Sequence, residues 1–477
     1  MALTYATIAH IQSAHAELQK TFREQKTLPL EYRRRQLLQV ARMFQDNQES
    51  LCNALYLDLS RHKLEVSMPE ICPTILAAIR AAESLEEWNR PEKPKVEEWR
   101  SSWDTTIYTV PKGVALIIGP WNYPFGTVML PLIGAIAAGC PCIVKPSEFA
   151  PACALKLAEL FPKYLDSSAY RIVNGAVAET TALLELKWDH IFFTGGGPVG
   201  RIVAAAAAKN VTPLTLELGS KSPVFIDAGK TDIELAAKRI LWGKQQNAAQ
   251  ICVAPDYILV PREHQDATVE AFKKAYKTFW PHPKGALDPL SEYSAIITPR
   301  HHVRLLEFLR RTKGTIVHGG NAEGSKRLEP TVVANVGLDD ALMEEELFGP
   351  IIAIVPIDNL QQAIQIINER PIPLVIYVFT DSEDTKNEFL RSTRSGTLTL
   401  NDTFAQLGVH EMPFGGQGES GYGSYLGKFS FDTFVQRRSY INVPPAAEPF
   451  MGLRYPPYTE EAYQALPAPA KIVIPDN

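Results

Sequence analysis

Short apolar runs alternate with stretches of helical spacing through the first half of the chain. The runs lie at Val114 to Ile118, Cys142 to Val144, Arg171 to Val173 and Ile191 to Phe193. Helical patterns separate them, as at Ala152 to Leu160. This alternation is typical of a parallel sheet with crossover helices, since parallel strands need a long connection. After an N-terminal helical region, the pattern therefore predicts a doubly wound α/β domain over residues 1–98 and 111–212.

The same alternation restarts in the second half of the chain. Its apolar runs lie at Pro223 to Ile226, Tyr257 to Val260, Ile351 to Val355, Val375 to Phe379 and Thr397 to Leu400. We interpret them as strands of a second α/β domain, residues 213–412, with the boundary between the domains near Pro213. The predicted fold class is therefore α/β, with two doubly wound domains.

Two further segments alternate like strands but fit neither sheet. They are residues 99–110 (WRSSWDTTIYTV) and 434–443 (FVQRRSYINV). We predict that they form a small protruding sheet, whose extended edges pair with a second copy of the chain in a homodimer. Residues 444–477 are rich in proline and are predicted to form a C-terminal tail.

Composition and charge exclude several classes of protein. Apolar residues make up 45% of the chain and charged residues 21%, which is typical of a globular protein and not of a disordered or membrane-embedded one. The formal net charge is -5 and basic residues are scattered, so we expect no nucleic-acid partner. The longest apolar run, Val128 to Cys140, is shorter than the ~20 residues that cross a bilayer. It is predicted to be a core helix, and no membrane anchor is expected.

The cysteines indicate a reducing compartment and no metal site. Six cysteines in 477 residues are too few for a disulfide scaffold, and the N-terminal sequence lacks the layout of a signal peptide. We therefore expect a cytoplasmic protein. Cys140 and Cys142 form a C-x-C pair without a second pair or a nearby histidine. Both thiols are therefore expected to be buried, and no metal ligands are predicted.

A glycine cluster lies between a predicted strand and an alanine-rich helical stretch. Gly195, Gly197 and Gly200 match G-x-G-x-x-G, with Gly196 at the first variable position. Such glycines let the backbone approach a pyrophosphate at a helix N-terminus, where free N–H groups and the helix dipole favour anions. A tight turn without a ligand fits the same pattern. In an ordinary dinucleotide fold, Glu217 would be the candidate acid for the ribose.

Seven motifs, the glycine cluster among them, follow one another along nearly the whole chain. They are GPWNYPF (119–125), IVKPSE (143–148), FFTGGGPVG (192–200), LELGSKSP (216–223), NAAQICVAPDY (247–257), EEELFGP (344–350) and PFGGQGESGYG (413–423). In this order and spacing they resemble the aldehyde dehydrogenase superfamily. The runs CVAPDYIL, AAAKNVTPLTLELG and RYPPY are similar to its class 3 branch, which includes fatty and aromatic aldehyde dehydrogenases.

The resemblance implies a function and the residues that perform it. It implies NAD(P)-dependent oxidation of an aldehyde to a carboxylic acid through a thiohemiacetal and a thioester on Cys252. The side chain of Asn122 and the backbone N–H of Cys252 would donate hydrogen bonds to the oxyanion. Glu217 would be the general base that activates water to hydrolyse the thioester, because an apolar setting raises the pKa of a carboxyl.

The resemblance also implies that the first domain binds the dinucleotide, that the second is the catalytic domain with the nucleophile, and that residues of both contact the cofactor. They are Trp121, Lys145, Glu148, Thr194, Gly195, Gly196, Gly200, Leu218, Glu346 and Phe348. This displaces the ordinary dinucleotide assignment, because Glu217 cannot hold a ribose and serve as base beside Cys252. Glu148 would repel a 2′-phosphate, so NAD is the predicted cofactor, with NADP also possible because class 3 relatives often accept both.

Some positions depart from the pattern of the family. Ala249 and Ile251 stand where glycine and threonine are usual, Ser220 replaces a glycine, and Gly196 stands where serine is common. An alanine is strained wherever the glycine it replaces had a positive φ. These changes keep open a catalytically silent member with a binding role. A CoA-acylating relative is the other alternative, although the presence of Glu217 argues against it.

The substrate is not specified by the motifs. Gln245, Gln246 and Gln406 are the substrate-lining positions that the resemblance suggests. Their side chains are more polar than an aromatic aldehyde needs, so a polar aldehyde and a long-chain aldehyde both stay open.

Overall fold

The structure, a computed structural model, describes residues 3–466 and 474–475. The last part of the predicted Pro-rich tail, residues 467–473 and 476–477, lies outside the described residues. None of the helices in the described ranges is both long enough and apolar enough to span a bilayer.

The chain divides into a larger compact unit, residues 1–88 and 111–435, and a smaller unit, residues 89–110 and 436–477. In chain order the strands are β1 (Asp104–Pro111), β2 (Ala115–Ile118), β3 (Cys142–Lys145), β4 (Tyr170–Ile172), β5 (His190–Gly195), β6 (Leu214–Leu218), β7 (Pro223–Ile226), β8 (Tyr257–Pro261), β9 (Thr315–His318), β10 (Ala322–Glu323), β11 (Arg327–Leu328), β12 (Thr331–Ala334), β13 (Ile351–Ile357), β14 (Val375–Phe379), β15 (Thr397–Leu400), β16 (Gly421–Tyr422) and β17 (Val435–Asn442). The α-helices are α1 (Ile8–Arg23), α2 (Leu30–Asp46), α3 (Gln48–Leu59), α4 (Lys63–Val66), α5 (Cys72–Glu83), α6 (Leu85–Trp88), α7 (Gly126–Ala138), α8 (Pro151–Tyr164), α9 (Val177–Glu185), α10 (Gly197–Lys209), α11 (Ile233–Gln245), α12 (Gln265–Phe279), α13 (Pro299–Arg311), α14 (Leu360–Asn368), α15 (Glu383–Ser392), α16 (Lys428–Phe434) and α17 (Glu460–Gln464).

A six-stranded sheet in the larger unit has the order β16-β6-β5-β2-β3-β4, and it is parallel except for β16. The chain runs outward from β2 through β3 to β4 and then returns to β5, on the other side of β2. Ligands of such sheets bind at the carboxyl ends of the strands where the order reverses. The sheet confirms the doubly wound fold predicted for the first half and places that binding position between β2 and β5.

The passage from the first sheet to the second lies further along the chain than the predicted boundary at Pro213. Strand β6 pairs with β5 from Ile191 opposite Leu214 to Gly195 opposite Leu218, so it belongs to the first sheet. The chain leaves this sheet after β6 and enters the second sheet at β7. The sequence pattern did not predict β6 as a strand, which explains the difference.

The second sheet has the order β15-β14-β7-β8-β13-β12-β9 and is parallel except for β9. All five strands predicted for the second half belong to it, and the fold class is confirmed. The sequence pattern missed β12, a buried strand of only four residues, and the more exposed β9.

The long apolar run of the first half forms α7, which confirms the predicted core helix. Almost all of its side chains are buried, and Gly139 ends it with a φ of 87°, the left-handed conformation that glycine adopts without strain. Cys140 and Cys142, which follow, are both buried as predicted. In the part of the chain that the structure describes, no group of His, Cys, Asp and Glu side chains could hold a metal ion.

Strands β1 and β17 form a two-stranded sheet in the smaller unit. The strand predicted for residues 99–110 begins later than expected, because residues 98–100 form a 3₁₀ turn and β1 starts at Asp104. Tyr108 of β1 meets Tyr440 of β17 edge to face, with 5.9 Å between the ring centroids. Every side chain of β17 after its first residue is exposed.

Candidate active site

A cavity of about 1370 Å³ lies in the larger unit at the carboxyl ends of β2, β5 and β6. The predicted catalytic residues Cys252, Glu217 and Asn122 all line it. The predicted cofactor residues that line it are Trp121, Thr194, Gly195, Gly196, Leu218, Glu346 and Phe348. The fold therefore brings residues from distant parts of the chain into one cavity.

Cys252 lies between α11 and β8, and its side chain is partly exposed, toward the cavity. Burial in the surrounding protein raises the pKa of its thiol, and the nearby carboxyls of Glu346 and Glu217 raise it further. A thiol whose pKa is raised keeps its proton at neutral pH. Nucleophilic attack requires that this proton leave as the sulfur approaches a carbonyl carbon.

Glu217 is the fourth residue of β6, and only 4% of its surface is exposed. Neither of its carboxyl oxygens has a hydrogen-bond partner among the described residues. Burial raises the pKa of this carboxyl well above its usual range. The raised pKa is nearer to neutral pH, where a base is most effective. The carboxyl oxygens, which have no partner among the described residues, can accept a hydrogen bond from water.

Asn122 lies in the loop that follows β2 and is buried. Its Nδ2 donates to the backbone oxygen of Gln250 at 3.0 Å, and its own backbone oxygen accepts from Nδ2 of Asn247 at 3.0 Å. These bonds fix the Asn122 amide beside the loop that carries the nucleophile. An amide carries two N–H donors, so one bond to Gln250 leaves the second available for an oxyanion.

The residues that lead to the nucleophile adopt left-handed backbone conformations. Asn247, Ala248 and Ala249 have φ values of 49°, 50° and 59°. An L side chain in this region costs roughly 1–2 kcal/mol per residue. Nε2 of Gln250 donates to the backbone oxygens of Asn247 and Ala295, at 2.9 and 3.0 Å, and holds the loop in place. Ala249 thus has the positive φ at which the sequence predicted strain.

The glycine cluster forms the turn from β5 into α10. A side chain at Gly200 would lie 2.6 Å from Cδ2 of Leu218, so this glycine lets α10 pack closely on β6. A side chain at Gly196 would meet nothing closer than 4.0 Å, and Oγ1 of Thr194 is buried without a partner in the described chain. Open space and an unpartnered hydroxyl at a helix N-terminus fit the pyrophosphate of a dinucleotide.

Trp121 and Phe348 meet edge to face at the cavity wall, with 5.5 Å between their ring centroids. Glu346 lies close to the backbone of Gly219, where a side chain would fall 2.2 Å from its Oε2. Burial raises the pKa of Glu346 well above its usual range, and the carboxylate of Asp256 raises it further. Gly219 therefore allows the half-buried carboxyl of Glu346 to reach the cavity.

Lys145 and Glu148 lie at and just beyond the carboxyl end of β3, next to the predicted cofactor position. They pair with each other, with 2.9 Å between Nζ and Oε2. Neither of them lines the cavity, and the same is true of Gly200. The structure thus brings most, but not all, of the predicted cofactor residues into the cavity itself.

The remaining wall of the cavity is mainly apolar. It includes Met68, Leu76, Trp242, Phe404, Leu407 and Leu426. Of the three glutamines predicted to line the substrate site, only Gln246 does so. Nε2 of Gln406 instead donates to the hydroxyl of Tyr377 at 3.0 Å. Gln245 and Gln406 are therefore not among the residues that line this cavity.

Ser220, the other substitution in a motif, fits without strain. Its φ is not positive, and its Oγ accepts a hydrogen bond from the backbone N of Leu374 at 2.8 Å. Tyr377 is a neighbour of the nucleophile that the sequence did not reveal: its hydroxyl donates to the backbone oxygen of Val253 at 2.8 Å. A tyrosine within a buried strand has no spacing that could have indicated this role.

Known proteins share both the sequence and the fold. The profile of the Aldehyde dehydrogenase family matches residues 1–440. The chain is 41% identical to aldehyde dehydrogenase family 3 member A2 of Rattus norvegicus, over 93% of this chain and 90% of that protein. It is 38% identical to the dimeric NADP-preferring aldehyde dehydrogenase of Canis lupus familiaris, over 91% of this chain and 95% of that protein. The substrate-bound structure of Staphylococcus aureus AldH has a TM-score of 0.92 and 35% identity, and covers 97% of this chain and 99% of that one.

The chain therefore belongs to the aldehyde dehydrogenase family, and the predicted reaction class, NAD(P)-dependent oxidation of an aldehyde, is confirmed. The curated relatives named above include a family 3 member, in agreement with the predicted class 3 branch.

Proposed function

We propose that this enzyme oxidises an apolar aldehyde to its carboxylic acid through a thioester on Cys252, with Glu217 as general base and Asn122 as oxyanion donor. One observation carries the proposal: these three side chains line one cavity together with the glycine-rich turn. The unpartnered carboxyl of Glu217 favours hydrolysis of the thioester by water over its transfer to a second thiol.

In the first half of the reaction the sulfur of Cys252 bonds to the aldehyde carbon, and the thiol proton passes to solvent water. The second N–H of Asn122 and the backbone N–H of Cys252 donate to the carbonyl oxygen, which becomes negatively charged in the thiohemiacetal. The oxidised nicotinamide, when bound, supplies the acceptor for the hydride that leaves this carbon. The product of this half is a thioester on Cys252.

In the second half Glu217 takes a proton from water, and the water oxygen attacks the thioester carbon. The same two N–H donors stabilise the oxyanion again. Collapse of this intermediate breaks the carbon–sulfur bond, releases the carboxylic acid and restores Cys252. The raised pKa of Glu217 makes its carboxylate a stronger base for this step.

The apolar wall supports an aldehyde with an apolar body. Trp242, Phe404 and Leu407 offer surface to a hydrocarbon chain or ring, whereas Gln246 is the single glutamine of the predicted three on the wall. Burial of each methylene group contributes ~0.8 kcal/mol. We therefore propose that kcat/KM rises with chain length among aliphatic aldehydes until the cavity is filled.

A spectrophotometric screen of aliphatic, aromatic and polar aldehydes with NAD and NADP tests the proposal. We expect reduced cofactor with the apolar aldehydes, and an equal amount of carboxylic acid without CoA. A requirement for CoA would instead indicate the acyl-transfer alternative. A protein that binds NAD but reduces it with none of the aldehydes would be a silent member with a binding role.

We further propose that Glu148 faces the adenosine ribose and favours NAD over NADP. Its carboxylate would oppose the 2′-phosphate, so Glu148→Gln should raise the ratio of kcat/KM for NADP to that for NAD by roughly tenfold. Glu159→Gln is the control, because it also removes the charge of a lysine-paired glutamate, which lies on α8 and pairs with Lys156 and Lys163. The control should keep the parent ratio. The same ratio in Glu148→Gln would mean that Glu148 does not face the ribose.

We also propose that β1 and β17 join two copies of the chain in a homodimer. Within the described residues β1 and β17 pair with each other, and Glu92 bridges the second edge of β1 at Ile107. The second edge of β17 has no partner strand there, and β17 exposes the apolar side chain of Ile441. Light scattering at micromolar concentration should give the mass of two chains. Ile441→Asp should shift the mass toward one chain, and Leu390→Asp, an equally exposed change on α15, should not. A monomeric parent protein would rule the dimer out.

The proposed location is the cytoplasm. All six cysteines are free thiols in the structure, which is typical of proteins in a reducing compartment.

A further inference from the structure

A buried cluster of charged side chains connects the N-terminal helical region to the two loops of the proposed chemistry. We infer that Arg61 and Glu65 are positioning residues that hold two loops in their reactive arrangement. These are the oxyanion loop, residues 119–125 between β2 and α7, and the nucleophile loop, residues 246–256 between α11 and β8. This inference rests on the proposed roles of Cys252 and Asn122. It concerns two side chains that the proposed chemistry does not use.

Arg61 holds the oxyanion loop. It lies between α3 and α4 and is fully buried. Its Nη1 donates to Oε1 of Glu70 at 2.6 Å and to the backbone oxygen of Asn122 at 3.3 Å, and its Nη2 donates to the backbone oxygen of Glu65 at 2.9 Å. The guanidinium also lies 4.3 Å from the ring centroid of Tyr123. One cation therefore contacts two consecutive residues of the oxyanion loop.

Glu70 fixes the other end of the same loop. Its Oε2 accepts from the backbone N of Phe125 at 2.9 Å and from that of Gly126 at 3.1 Å, at the start of α7. These are hydrogen bonds to a charged acceptor, which are about twice as strong as neutral ones. The ion pair of Arg61 and Glu70 thus fixes the backbone of the oxyanion loop at Asn122, through Arg61, and at the start of α7, through Glu70.

Glu65 holds the nucleophile loop. Its Oε1 accepts a hydrogen bond from the backbone N of Asn247, and its Oε2 accepts from Oγ of Ser294 at 3.2 Å. Asn247 is the first of the three consecutive left-handed residues. Backbone strain of this kind persists only where surrounding contacts determine the conformation. Glu65 supplies such a contact at the residue where the left-handed stretch begins.

Loss of the hydrogen bond between Glu65 and the backbone N of Asn247 should disturb Cys252 and Asn122 together. If the strained residues relax, Cys252 moves, and so does the backbone oxygen of Gln250 that fixes the amide of Asn122. The cofactor residues on β5 and β6 belong to other segments and should stay in place. A positioning role therefore predicts a loss in kcat with little change in KM or in the affinity for NAD.

The first test compares two substitutions of Glu65. Glu65→Ala removes the acceptor and should lower kcat roughly 10- to 100-fold, with KM and the Kd for NAD within about twofold of the parent. It should also slow alkylation of Cys252 by iodoacetamide. Glu65→Gln keeps an oxygen that can accept from Asn247 and should recover most of both rates. An unchanged kcat in Glu65→Ala, while Cys252→Ala is inactive, would overturn the inference and leave the proposed function standing.

The second test uses the backbone strain itself. Glycine adopts a positive φ without strain, so in the background of Ala249→Gly the loop needs less external support. Glu65→Ala should then lower kcat by no more than about threefold relative to Ala249→Gly alone, because the two changes share one cause. An equal loss of kcat in both backgrounds would contradict the positioning role.

Asp58→Ala is the matched structural control. The carboxylate of Asp58 also accepts from backbone N–H groups, those of Ala152 and Cys153 at 3.1 and 2.9 Å, but it does not line the cavity. Asp58→Ala should lower the Tm and leave kcat and the alkylation rate near those of the parent. If it lowers them as much as Glu65→Ala does, the effect is a general loss of structure and the inference fails.

Discussion

Cys252→Ala should form no reduced cofactor with any aldehyde, a loss of at least about 10³-fold. Addition of the sulfur is what turns the aldehyde carbon into a hydride donor, and alanine has no atom that can replace it. The rate of appearance of reduced cofactor measures the effect, and the Tm and the Kd for NAD show that the variant is folded. Cys72→Ala removes an exposed thiol that does not line the cavity and should keep the parent rate. Turnover by Cys252→Ala above a hundredth of the parent rate would contradict the assignment.

Glu217→Gln should separate the two halves of the reaction. Glutamine keeps the shape of the side chain but cannot take a proton from water, so hydride transfer proceeds once and the thioester accumulates. Rapid mixing should show a burst of about one reduced cofactor per active site, followed by turnover that is slower by roughly 10²–10⁴-fold. Glu329→Gln changes a buried glutamate that does not line the cavity and should show the parent turnover without this burst.

The pH dependence of Glu217→Gln tests the same assignment. The folded pKa of Glu217 is raised, so the fraction of its basic form, and with it the hydrolysis rate of the parent, should increase with pH up to that pKa. The variant lacks this group, so only hydroxide and the thiol of Cys252 should determine its pH profile. If no burst forms even near pH 9, although the variant binds NAD, Glu217 acts before hydride transfer. If the variant turns over like the parent, Glu217 is not the base.

The sequence predicted the parts of the site that depend on residues close to each other in the chain. The order of the motifs led to Cys252, Glu217 and Asn122, and the structure places all three in one cavity. Apolar periodicity predicted most strands of both sheets. It did not predict β6, and it could not show which strands pair, since the partner of a strand is determined by packing between segments that are far apart in the chain.

The sequence also could not predict side-chain directions or contacts between distant parts of the chain. Gln406 occupies a position that suggested the substrate site, but its amide bonds to Tyr377 because β14 brings that hydroxyl within reach. Arg61 and Glu65 lie in a segment whose charges resemble those of a solvated helix surface. Their role is visible only in the structure. There Asn122 contacts Arg61, and the nucleophile loop contacts Glu65, although both partners come from later parts of the chain.

Two carboxyls of the cavity, the buried Glu217 and the half-buried Glu346, make the stability of the fold depend on pH. Unfolded glutamate has a pKa of about 4.3, and burial raises the pKa of Glu217 and of Glu346 above that value in the folded state. Between the unfolded and folded pKa values, the native protein retains protons that the unfolded chain releases. The free energy of unfolding contributed by these two groups therefore decreases as the pH rises through this range. The ionised form of Glu217, which activates the water that hydrolyses the thioester, is also the form that weakens the native state. At the pH values that favour turnover, these two groups therefore contribute least to the free energy of unfolding.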